Sequence, residues 1–120
     1  MTPEQIARIE EVVKQWHEAG RLRFEADYRH LDYDSPRYAK HYHVGAKYIR
    51  LDAGDSGAFM AEIESGIIYE IQGYGTPNKK KIAGVIWDPE FSGAQLDVCR
   101  YVRGSYDYRT HATTRNDLPR

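Results

Sequence analysis

Apolar residues recur at steps of three and four near the start of the chain: Ile6, Ile9, Val13 and Trp16, with Val12 beside them. That spacing draws one apolar stripe along a helix and leaves Glu10, Glu11, Lys14 and Gln15 facing water. Thr2-Pro3-Glu4-Gln5 marks the start, with Thr2 as the cap, Pro3 at the first helical position and Gln5 able to reach back to the Thr2 amide. Gly20 is a natural stop, so the pattern predicts a helix over residues 3–19.

After Gly45 the period changes to two. Lys47-Tyr48-Ile49-Arg50-Leu51 places Ile49 and Leu51 on one face of a strand, with Tyr48 and Arg50 on the other. Asp52 to Gly57 has turn composition. Ala58–Ile63 and Ile67–Ile71 flank Glu64-Ser65-Gly66, a connection short enough to demand a β-hairpin. Gly73 to Lys81 reads as a loop with a basic triplet at a hairpin tip, and Ile82–Trp87 as a further strand closed by Asp88-Pro89. The expected architecture is α+β, an N-terminal helix packed on an antiparallel meander of about four strands.

Two segments are less regular. The character changes over residues 21–43: residues 21–30 could extend or follow the first helix, but Asp34-Ser35-Pro36 forces a turn, and irregular structure is expected there. Ser92-Gly93-Ala94-Gln95 repeats the capping-box form, and Leu96, Cys99 and Val102 share a helical face, which favours a short C-terminal helix. Val98, Tyr101 and Val102 leave a strand open for the same stretch, residues 93–103. From Thr110 no periodicity remains, so the reading is a single domain over 1–109 and a mobile tail over 110–120.

Composition narrows the class. A chain of 120 residues forms one domain and buries enough surface to need no disulfide or structural metal. Seventeen basic against eighteen acidic residues give a net charge of −1, which excludes a polycation that coats nucleic acid or an anionic membrane. The balance hides a local surplus, since residues 100–120 hold five arginines against Asp107 and Asp117. No signal-peptide pattern opens the chain, and no apolar run approaches the ~20 residues of a membrane span. The lone Cys99 reads as a small core hydrophobe in a reducing compartment, which makes the cytoplasm the expected location.

Candidate chemistry is sparse. His41 and His43 would point two imidazoles to one side of an extended segment near His30, Asp32 and Asp34, the best metal-binding or small-enzyme option. The usual ligand spacings are missing, so no metal, cofactor or catalytic residue is assigned. Glu62, Glu70 and Asp88 are acid–base candidates that equally suit the wet face of a sheet. The glycines around Tyr74 and at 54–57 lack the spacing of phosphate-binding loops.

Ten tyrosines, against three phenylalanines and two tryptophans, are the compositional anomaly. Tyr28, Tyr33, Tyr38, Tyr42, Tyr106 and Tyr108 fall outside the expected elements, with Arg37 and Arg103 among them. Tyrosine and arginine are enriched at recognition surfaces, so these residues form a candidate protein-binding surface. The same tyrosines could instead seal the rim of a small core. Lys79, Lys80 and Lys81, with the basic C-terminal segment, offer a nucleic-acid-binding alternative.

Lys47-Tyr48-Ile49-Arg50-Leu51, Ser56-Gly57-Ala58-Phe59-Met60 and the run from Gly66 to Gly75 resemble small accessory proteins of bacteriophages and mobile elements. The resemblance covers Lys47 to Gly84 and implies a non-catalytic protein of a class that includes inhibitors of host defence, such as anti-CRISPR proteins. It carries over no catalytic residue.

Overall fold

The computed structural model describes residues 1–27, 33, 39–54, 56–73 and 75–99, together with the backbone of 106–107 and 112–113. Helix α1 spans Pro3–Asp27. Its start is the expected capping box: Thr2 N donates to Gln5 Oε1 at 2.9 Å, and Gln5 N donates to Thr2 Oγ1 at 3.1 Å. Its end is not at Gly20. A Cβ on Gly20 would lie 2.4 Å from the Tyr33 hydroxyl oxygen, so this glycine admits a ring against the helix instead of ending it. The stripe then continues from Trp16 to Phe24, both buried.

Five strands follow: β1 Lys40–Val44, β2 Tyr48–Ala53, β3 Ser56–Glu62, β4 Ile67–Gly73 and β5 Thr76–Val85. They form one antiparallel sheet in sequence order, one strand more than the period-two runs predicted. The additional strand is β1, within the segment expected to be irregular. Its alternation is real but short: Tyr42 and Val44 turn toward the core, while His41 and His43 are exposed.

The register sorts the two faces of the sheet. Tyr42 lies opposite Leu51, and Val44 opposite Ile49. With Phe59, Ala61, Ile68 and Ala83, these residues meet Ile9, Val12 and Trp16 of α1 in the main core. Trp16 and Phe59 pack edge to face, ring centroids 5.6 Å apart. On the other face a row crosses all five strands, His43 to Arg50, Met60, Tyr69 and Ile82. Met60, Tyr69 and Ile82 are buried as well.

The β3–β4 hairpin forms at Glu64-Ser65-Gly66 as expected, with Gly66 N bonded to Glu62 O at 2.7 Å. The next hairpin differs from expectation. β5 begins at Thr76, and Glu70 pairs with Asn78 while the preceding Tyr69 pairs with Ile82. Lys79, Lys80 and Lys81 therefore lie in a bulge within the strand, not at a hairpin tip. Asn78 Oδ1 accepts from Lys80 N at 3.1 Å inside that bulge.

After β5, Phe91, Leu96 and Cys99 close the core, and α2 spans Ala94–Asp97. The second capping box does not form as a reciprocal pair: Ser92 Oγ accepts from Ala94 N at 3.2 Å, and Gln95 Nε2 points to Cys99 Sγ at 3.9 Å. Gly93 seats this segment against α1, where a Cβ would fall 1.9 Å from Val12 O. β6 Tyr106–Asp107 and β7 Ala112–Thr113 form a separate antiparallel pair, and β6 contacts β5. The rest of the expected 93–103 element and of the 110–120 tail lies outside the described residues. Among the described residues no helix is long and apolar enough to cross a membrane.

Candidate functional site

Two cavities flank the sheet near β1, one on each face. The first is a groove of about 370 Å³ between α1 and β1. Val13 and Tyr42 supply apolar wall, while Glu10, Lys14, His17, Lys40 and His41 surround it with charge and hydrogen-bonding capacity. The helix period brings positions 10, 13, 14 and 17 onto one stripe, and strand alternation turns Lys40 and Tyr42 toward it.

A tyrosine seam holds one end of this groove. Tyr33 is only 4% exposed. Its hydroxyl donates to His17 O at 2.9 Å and accepts from Lys40 Nζ at 3.4 Å. Its ring lies 4.8 Å from the His17 ring and 5.1 Å from Phe24, centroid to centroid. Lys40 Nζ also stands 5.4 Å from the Trp16 ring, a cation–π distance that fixes the ammonium over the core edge. Behind the seam, buried Asp97 pairs with Arg23 at 3.1 Å and ties α2 to the C-terminal half of α1. A buried carboxylate with a guanidinium partner satisfies its charge inside the fold, so this pair is architecture.

The second cavity, about 350 Å³, lies on the opposite face around the β1–β2 turn. His43, Lys47, Tyr48, Arg50 and Met60 line it, and Gly75 from the β4–β5 turn reaches the same space. The β4–β5 hairpin therefore curls across this face of the sheet.

The expected site residues separate. Tyr33 belongs to the sealed seam and is not available as a surface anchor. Tyr42 is half-buried and lines the first groove. Lys79 and Lys80 are exposed and Lys81 is half-buried. Tyr106 falls on β6, where only its backbone is described; Tyr28, Arg37, Tyr38, Arg103 and Tyr108 lie outside the described residues. His41 and His43 do share one side of β1, but His41 turns to buried Asp52, its Nε2 3.7 Å from Asp52 Oδ2. Among the described residues no three His, Cys, Asp or Glu side chains come together in a way that could hold a metal ion. Cys99 is fully buried, as a core residue should be.

Glu10, Lys14, His17 and Lys40 were not legible as groove residues. The available signal was the alternation of Lys40-His41-Tyr42-His43-Val44, which makes a strand and so brings this segment alongside the helix. Comparison with protein families, with curated proteins and with solved structures gives no match to this chain.

Proposed function

We propose that this protein works without catalysis, by binding another protein along the α1–β1 groove. The observation that supports the reading is the groove itself: an apolar wall of Val13 and Tyr42 rimmed by Glu10, Lys14 and Lys40. It runs beside β1, an edge strand of the sheet. An apolar centre with a charged rim is the ordinary anatomy of a protein interface, and a sheet edge offers backbone groups to an extended partner segment. The finer reading, an accessory protein of a phage or mobile element directed at a host defence, rests on the strand and turn residues of 47–84.

Site-specific photo-crosslinking tests it. A crosslinker at position 14 is expected to give one defined protein adduct that excess unlabelled protein competes away, and one at position 80 none. Adducts from position 80 alone would overturn the groove reading.

A second reading has its own observation. Lys79 and Lys80 are adjacent and exposed in the β5 bulge, where they suit a nucleic-acid backbone. That reading requires nuclease-sensitive adducts at position 80 and affinity that falls steeply with salt.

A further inference from the structure

We propose that this chain pairs with a second copy of itself, edge to edge, through β1. The phase of the β1–β2 ladder is the starting point. Gly45 N donates to Tyr48 O at 2.9 Å, and Gly54 N donates to Ala39 O at 2.7 Å. These two bonds bracket β1 and fix the alternation between them. The backbone groups of His41 and His43 bond to β2, while those of Lys40, Tyr42 and Val44 point away from the sheet. Among the described residues, the outward N–H and C=O of Tyr42 and Val44 meet no partner.

The two edges of the sheet are built differently. β5 carries the features that discourage strand addition: Pro77, which has no N–H, Lys79, Lys80 and Lys81 in a bulge, breaks in its register on β4, and contact with β6. β1 contains no proline or glycine, and its register on β2 runs unbroken from Lys40 opposite Ala53 to Val44 opposite Ile49. Its one lysine is turned inward, with Nζ 3.4 Å from the Tyr33 hydroxyl oxygen and 5.4 Å from the Trp16 ring centroid. The charge therefore stands over the core instead of guarding the edge.

The residues of the edge select the occupant. His41-Tyr42-His43 reads the same in both directions, so an antiparallel pairing about Tyr42 is self-matching, as a two-fold dimer requires. In that register Tyr42 exchanges both backbone bonds with the partner's Tyr42, and Val44 pairs with the partner's Lys40. A shift by two residues either way leaves Lys40 or Val44 without a counterpart. Lysine faces valine and not lysine, so no ammonium groups stand directly opposite each other. On the groove side the two Tyr42 rings come together near Val13 of each helix and cover wall that is half-exposed in the single chain. On the other face His41 lies opposite the partner's His43, both exposed in the single chain. The dimer uses the side of the molecule that carries the protein-binding groove, but it does not rest on that reading, because every contact comes from this chain.

Sedimentation equilibrium of the full chain tests the pairing. The mass is expected to pass from monomer toward dimer between about 10 μM and 1 mM. Val44→Pro removes an N–H that β2 does not use, so the β1–β2 ladder survives while the dimer dissociation constant rises at least about tenfold. Lys80→Gln, on the opposite edge, should leave it unchanged. Amide exchange in the unaltered chain gives a reading that needs no variant: with rising concentration the Tyr42 and Val44 amides should slow, and those of β5 should not. A chain that is still monomeric at about 1 mM overturns the pairing. So does a dimer indifferent to a folded Val44→Pro chain, or one whose added protection falls outside β1. If Val44→Pro does not fold, the exchange pattern decides. A monomeric chain that still gives the position-14 adduct with another protein refutes the pairing and keeps the groove reading.

Discussion

Replacing Arg8 tests how the loop between β5 and α2 is held. Arg8 sits beside the apolar stripe of α1, and its guanidinium donates to three carbonyls of that loop: Nε to Ile86 O at 2.8 Å, and Nη2 to Asp88 O at 2.6 Å and Phe91 O at 2.5 Å. It also pairs with Glu11 on the surface. The loop it grips carries Phe91 into the core, where the ring packs on Gly84 so closely that a Cβ there would stand 2.2 Å from it.

The magnitude follows from what truncation leaves behind. A hydrogen bond to a charged group contributes about 1.5–3 kcal/mol net, but the three share one guanidinium and do not add. Ile86 is fully buried, so its carbonyl has the poorest access to water once Arg8 is gone; Asp88 is half-buried and regains hydration more readily. Arg8→Ala is therefore expected to cost about 3 kcal/mol, a large share of the ~5–15 kcal/mol that stabilises a domain of this kind. Arg8→Lys should recover little, because one ammonium nitrogen cannot span three carbonyls in the way a planar fork does. Glu11→Ala should change stability by less than about 0.5 kcal/mol, the usual worth of an exposed helix pair. Urea unfolding followed by circular dichroism reads all three from the shift in midpoint at constant slope. The reasoning fails if Arg8→Ala lies within about 1 kcal/mol of the parent, or if Glu11→Ala costs as much.

Other positions give independent checks. Gly93→Ala forces a methyl to within 1.9 Å of Val12 O, so α2 must back away from α1; a loss of about 3 kcal/mol or more by the same assay is expected, and a neutral result would refute the close approach. Tyr33→Phe keeps the ring and removes the donor to His17 O, which should cost about 1 kcal/mol, against about 3–5 kcal/mol for Tyr33→Ala. A negligible effect of both substitutions would place Tyr33 on the surface after all.

The helix and the hairpin were readable because their signals are local. Thr2 and Gln5 are three positions apart, and Ser65 meets Glu62 across one turn at 2.6 Å. The end of α1 was not, because a glycine on a helix face reads the same whether it stops the helix or admits a neighbour. The distinction is made by Tyr33, which no window around Gly20 reveals as a contact. The spacing of Trp16, Gly20 and Phe24 at steps of four does carry the continuation: glycine leaves a gap in the stripe, and an aromatic ring fills it. The lysine triplet shows a similar limit. Lys79-Lys80-Lys81 has loop composition, and only the pairing of Tyr69 with Ile82 and of Glu70 with Asn78 turns it into a bulge within a strand.

The tyrosine excess divides along the same line. Tyr33, Tyr42, Tyr48 and Tyr69 are described, and they occupy three different environments: a sealed helix seam, the edge of a groove, and the far face of the sheet. One property suits all of them, a stiff apolar body with a polar tip. At Tyr33 the tip satisfies a helix carbonyl that phenylalanine would leave without that donor. At Tyr42 and Tyr48 the ring walls a cavity. Position relative to the sheet therefore decides whether a tyrosine closes the fold or offers a surface. Since β1 itself was the strand that periodicity missed, the residues that line both cavities could not be grouped before the register of β1 on β2 was known.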